Sequence, residues 1–148
     1  MMKTRMLVVC GIGLLVLGIA YFTFPSKDWK PLQTFPASIN NDCAPWDGAA
    51  FTVTIQYDPT TQIYISIWRA PNIKLPTKIP LRKDSEQDGN AYTLADIGPF
   101  VTLNGEVLFQ RVEQNIPVEG RFRLASESGG QFEGRFIAAW GNEIVFCG

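Results

Sequence analysis

The chain has no histidine. This removes the Ser-His-Asp and Cys-His catalytic arrangements and the usual His-bearing zinc sites. Acid–base chemistry would fall to carboxylates, lysine or tyrosine. Charge is scarce as well: 18% of residues are charged and the net charge is −1. Setting Lys3 and Arg5 aside leaves −3 on the remainder, so the basic surface that nucleic acid binding requires is missing. Beyond residue 24 no segment sustains a helical period, which argues against a helical domain. No catalytic motif is recognisable and nothing implies a cofactor, so the chain reads as a non-enzyme.

What is present begins with residues 6–24, MLVVCGIGLLVLGIAYFTF, a run without charge. As a helix it reaches ~28 Å, about the thickness of a bilayer's hydrocarbon core. Lys3 and Arg5 before it should stay cytoplasmic, placing the rest outside. Residues 1–24 are therefore expected to form one N-terminal transmembrane helix, a signal-anchor at the cell envelope. The alternative is a signal peptide cut near Ala20, giving a secreted protein. Tyr21, Phe22 and Phe24 favour the anchor, because aromatic rings suit the membrane interface better than a mature N-terminus. Cys10 lies inside the apolar run, where it reads as a small apolar residue.

Residues 25–41, with Pro25, Pro31 and Pro36, read as a stalk, and residues 42–148 as one extracytoplasmic β-domain. Cys43 and Cys147 bracket that domain. Outside the cytoplasm they are expected to form a disulfide. Closing a loop of about 100 residues stabilises by ~4.7 kcal/mol on the chain-entropy model.

From residue 50 onward the period is two. Phe51, Val53, Ile55 and Tyr57 share one face, and Ile63, Ile65 and Ile67 repeat the pattern after a turn at Asp58-Pro59-Thr60-Thr61. Pairing Asp58 with Gln62 sets Ile55 against Ile65 and Val53 against Ile67. Glu119-Gly120-Arg121-Phe122 recurs as Glu133-Gly134-Arg135-Phe136, read as two arms of one hairpin. Pairing Glu127 with Gln131 sets Phe122 against Phe136 and Arg123 against Arg135. Asn104-Gly105 and Gly141-Asn142 read as two-residue turns, the second leading into a last strand over 143–147. That strand would turn Cys147 toward the core and bury its disulfide. Trp46 and Trp140 are expected in the core. The pattern implies an all-β fold of about eight strands, a small antiparallel β-barrel or else a β-sandwich.

Three surface features have chemical meaning. In 72–82, Lys74, Lys78 and Arg82 share parity with Pro76 and Pro80. Two prolines of one parity fit an edge strand, and the basic residues offer an anionic-surface contact for a lipid headgroup or cell-wall polymer. Tyr64 and Trp68 lie opposite the isoleucines of their strand, among hydroxyl and amide side chains, as a ligand platform. Residues 83–89 resemble the opening of a calcium loop, but Ala95 stands where the closing glutamate belongs, so a solvated polar loop and no metal is the better account.

The expected function is a membrane-anchored binding or scaffolding module at the cell envelope. Its partners would be the membrane itself, through the N-terminal helix, and an envelope protein, lipid headgroup or cell-wall polymer. The rivals are a barrel carrier for a small apolar ligand and a carboxylate-based hydrolase.

Overall fold

A computed structural model describes residues 32–71, 77–83, 88–95, 99–142 and 144–147. The apolar run 6–24, the first part of the expected stalk and Lys74 lie outside the described residues. Among those described, no helix is long and apolar enough to cross a membrane. The domain is all-β, with strands β1 (Thr34–Cys43), β2 (Ala49–Asp58), β3 (Thr61–Ile67), β4 (Thr77–Leu81), β5 (Gly89–Ala95), β6 (Val101–Arg111), β7 (Val118–Ser126) and β8 (Gln131–Trp140). Burial follows the period of two. Phe51, Val53 and Ile55 point inward from β2 while Thr52, Thr54 and Gln56 face out.

Seven strands close a barrel in the order β6-β5-β3-β2-β1-β8-β7, with β7 returning to β6. Each pairing is antiparallel except β1 with β8. The exception follows from parity. A ring that alternates strand direction needs an even number of strands, and seven leave one parallel neighbour. The eighth strand, β4, lies antiparallel to β6, beside its C-terminal half. It ends the sheet order, and its exposed Pro80 fits such an edge. Ile79 and Leu81 of β4 are buried while Lys78 is exposed.

Asn104-Gly105 is not a turn. β6 runs straight through it, and this dipeptide is where the strand changes neighbour. Leu103 pairs with Ala91 of β5, whereas Gly105 pairs with Leu81 of β4. Asn104 Oδ1 accepts a bond from the Lys83 backbone N–H at 2.9 Å, just past the end of β4. Gly105 has φ +151°, and a Cβ there would meet the Arg123 carbonyl oxygen at 2.1 Å. Glycine is required because the backbone of β7 passes so close.

The expected stalk ends earlier than residue 41. β1 begins at Thr34 and buries Phe35 and Ile39 in the core. Pro36 fits because the first β1–β2 pair is Ala37 with Ile55, so at Pro36 the strand has a neighbour on one side only.

Both expected hairpin registers shift by two residues. In the first, Asp58 pairs with Thr61 across a two-residue loop, and a bulge between Gln56 and Asp58 sets Ile55 against Ile63 and Val53 against Ile65. Asp58 Oδ1 accepts bonds from the Thr60 N–H and hydroxyl at 2.8 and 2.9 Å, which favours the tight loop. The Thr60 backbone bond is also the main reason that the Asp58 carboxyl titrates below its usual range, with the Thr61 hydroxyl next.

In the second hairpin Ala125 pairs with Gln131, so Gly120 faces Phe136 and Gly134 faces Phe122. The echo thus has a packing reason: each copy's glycine makes room for an aromatic ring, Phe136 over Gly120 and Phe35 over Gly134. A Cβ on Gly120 would come within 2.3 Å of the Phe136 ring, and one on Gly134 within 2.4 Å of Phe35. Arg121, not Arg123, faces Arg135, and Arg123 faces Glu133.

Side chains fill the barrel. Phe51, Phe109 and Phe136 are fully buried, and the Phe109 ring meets Phe51 at 5.7 Å and Phe136 at 5.9 Å. Phe122, Phe35 and Tyr57 continue this aromatic chain toward β7. Trp140 packs against the core and donates from Nε1 to the Glu113 carbonyl at 2.9 Å.

Candidate functional site on the outer wall

Cys43 and Cys147 are joined by a disulfide, with Cα atoms 5.5 Å apart. Both cysteines are half-buried, and residues 144–147 form no strand. The expected last strand and core-facing sulfur are therefore corrected. The segment leaves the barrel after Trp140 with Ile144 and Phe146 exposed, and the disulfide holds it at the end of β1.

The outer face of β1, β2, β3 and β5 carries an ordered set of polar groups. Asp42 (β1), Thr52 (β2), Ser66 (β3) and Asn90 (β5) come from four adjacent strands. Thr52 pairs with Ser66, and Ser66 with Asn90. The Thr52 hydroxyl donates to Asp42 Oδ2 at 2.6 Å and lies 2.9 Å from Ser66 Oγ. With its single proton spent on Asp42, Thr52 can only accept from Ser66. The chain therefore runs Ser66 to Thr52 to Asp42, and each bond polarises the next. Asp42 Oδ1 also accepts the Cys43 N–H at 2.8 Å. Asn90 Oδ1 is buried with no partner, and Ser66 has no proton left for it. The row thus has the Asp42 carboxylate as acceptor and the Asn90 amide N–H2 as donor.

Aromatic rings flank the row on both sides. Two residues back along β3, Tyr64 stacks on Tyr92 with centroids 5.0 Å apart and planes at 10°. Phe100, 68% exposed, meets Tyr92 edge-on at 5.3 Å. Two residues forward, Trp68 meets Trp46 edge-on at 5.6 Å. Trp46 is 54% exposed, which corrects its expected place in the core. It stands in a tight loop closed by the Ala44 N–H to Gly48 carbonyl bond at 2.8 Å. Its indole folds over Gly48, where a Cβ would lie 2.7 Å from Nε1. The Tyr92 phenol is pushed up from its usual pKa by burial first, then by Tyr64 and Asp42.

No family model, curated protein or solved structure matches the chain. The site is therefore read from its own groups.

Of the expected basic strip, Lys78 and Arg82 are among the described residues and both are exposed. Lys78 pairs with Glu106 at 2.5 Å, while Arg82 has no ion pair among those residues. A groove of about 500 Å³ opens on the outside of β6, β7 and β8, lined by Glu106, Arg123, Gln131 and Glu133 among others. Its charges already answer one another, with Lys78 on Glu106 and Arg123 on Glu133 at 3.4 Å. Among the described residues no cluster of His, Cys, Asp or Glu has a metal-holding arrangement.

Tyr64 and Trp68 are accessible to sequence reasoning through the parity they share, opposite to Ile63, Ile65 and Ile67. Tyr92 and Asn90 are not, because β3 pairs with β5 and passes over β4. Trp46 has a usable signal: Pro45 before it and Asp47-Gly48 after it mark an exposed turn.

Proposed function

We propose that the protein is a binding module held outside the cytoplasm by its N-terminal apolar segment, and that its partner docks on the outer wall of β1, β2, β3 and β5. The observation that carries this reading is the Asp42–Thr52–Ser66 hydrogen-bond chain set between two pairs of aromatic rings. Half-exposed aromatics beside a polar network with spare acceptors form a recognition surface. Residues 6–24, the basic residues before them and the disulfide support an extracytoplasmic address. The aromatic filling of the barrel favours an outer-wall site over a carrier for an apolar ligand.

Co-sedimentation tests the reading, using full-length protein in a sugar-free detergent and sedimentable envelope fragments. Trp46→Ala and Phe100→Ala are expected to weaken co-sedimentation, while Lys78→Ser with Arg82→Ser leaves it intact. The opposite pattern would move the site to the basic strand. Protease accessibility in sealed vesicles tests the address, and protection of the β-domain on the cytoplasmic side would overturn it.

A further inference from the structure

Resting on that reading of the outer wall, we infer that the ligand is an extended, uncharged glycan chain. It lies along β3, its two ends stacked on the aromatic pairs and its hydroxyls hydrogen-bonding the row between them.

Three properties of the wall point to this chemistry. The first is the sense of the hydrogen bonds. Asp42 keeps carboxylate lone pairs, Ser66 Oγ is spent as a donor, and Asn90 has an amide N–H2 while its Oδ1 is buried. Such a row both accepts and donates, as a sugar's hydroxyls do at every ring. The second is charge. Arg69, at the rim beyond Trp68, is already paired with Asp88. Among the described residues the tract holds the Asp42 carboxylate and no unpaired cation. An anionic polymer or a phosphate headgroup would meet repulsion there.

The third property is spacing. Tyr64 lies on β3 and Trp68 one residue past its end, where its N–H still bonds the Asp88 carbonyl, so over four extended residues their positions are separated by about 13 Å. A ring pair at each end with a polar floor between suits a ligand of roughly three sugar units, whose C–H faces pack on aromatic rings and whose edges carry hydroxyls. An ammonium ligand would call for rings gathered around one point. The exposed rings, Trp46 and Phe100, are at opposite ends of the tract, so a short sugar reaches only one of them.

The test is a titration of the full-length protein in sugar-free detergent, followed by tryptophan fluorescence. The probes are cellohexaose and chitohexaose, with their disaccharides as short controls and tetramethylammonium as the cationic control. Either hexasaccharide is expected to bind at least about tenfold more tightly than its disaccharide, because only the longer chain engages both ring pairs. Trp46→Ala and Phe100→Ala are each expected to weaken hexasaccharide binding roughly tenfold. Both side chains are well exposed, so neither variant threatens the fold. Ser66→Ala, which deprives Thr52 of its donor, should weaken it further.

Failure of both hexasaccharides, with envelope co-sedimentation still lost in Trp46→Ala, would overturn the glycan and leave the outer wall as the site. Saturable binding of tetramethylammonium alone would replace the glycan by a cation. Co-sedimentation unaffected by either aromatic variant would remove the outer wall, and the glycan with it.

Discussion

The barrel has two outer walls over one interior, and they are decorated in opposite ways. On β6, β7 and β8, with β4 alongside, charges stand in rows and answer one another: Lys78 with Glu106, Arg123 with Glu133, and Lys83 with Glu127 at 3.1 Å. On β1, β2, β3 and β5 the same outward positions hold hydroxyls, amides and stacked rings. Ion pairs on a solvated sheet keep it soluble and add little stability. Half-exposed rings add nothing to solubility and leave apolar surface in water. One wall is therefore largely paired, although Arg121 faces Arg135 and its Nε is buried without a partner, and the other has groups that a ligand would complete.

The largest effect is expected where the walls share material. Phe109 on β6 touches Phe51 of one wall and Phe136 of the other, and it is fully buried. Phe109→Ala should cost about 3–5 kcal/mol in chemical denaturation. A loss below about 1 kcal/mol would mean that the walls are stabilised separately.

Next comes the disulfide, which ties β1 of the aromatic wall to the chain beyond β8. Cys147→Ser should cost about 2–5 kcal/mol, and mass spectrometry of unreduced protein should show the Cys43–Cys147 cross-link. Two free thiols in protein from its native compartment would contradict the pairing.

Gly120→Ala follows, at about 1–3 kcal/mol, because the new methyl meets the Phe136 ring on the charged wall. Its counterpart on the aromatic wall is a pH effect. The raised Tyr92 pKa means that the fold favours the neutral phenol. Its contribution is full below the unfolded value of 10.0 and is lost as pH rises through the folded one. Tyr92→Phe should therefore flatten the alkaline limb of stability against pH, and an unchanged limb would assign that loss to other groups.

The smallest effect belongs to the charged wall. Arg123→Ala should change stability by no more than about 0.5 kcal/mol, since side chains 77% and 54% exposed form that pair. A loss several times larger would give this wall a structural role.

Inside and outside were legible in the sequence, while strand partners largely were not. The alternation in 51–57 and 63–67 shows which residues are buried, because burial depends on parity alone. Register depends also on turn length and bulges. The two-residue loop moved the Asp58 pair by one and the bulge moved the pairs beyond it by two, and a slip of two keeps each face in place. The Asn104-Gly105 dipeptide misled for a related reason. Its glycine answers a backbone passing overhead, which resembles a turn until the neighbouring strand is known. β1 was hidden by Pro36 and the prolines that precede it, although Phe35, Ala37 and Ile39 alternate correctly with Pro36 and Ser38. For the site, Tyr64 and Trp68 were within reach. The polar row was not, because it takes one residue from each of four strands whose adjacency is a long-range fact.

The Cys43–Cys147 bond also decides how the domain bears tension. A pull between residue 32 and the C-terminus follows the shortest covalent path, which is β1 and then the sulfur bridge. β1 is already stretched as a strand, at about 3.3 Å per residue, so that path has almost no slack. Between those two points the load passes along β1 and the sulfur bridge, and the covalent path through β2 to β8 carries none of it. Stretching single oxidised molecules should release no long extension, and reduction should free the looped residues to unravel.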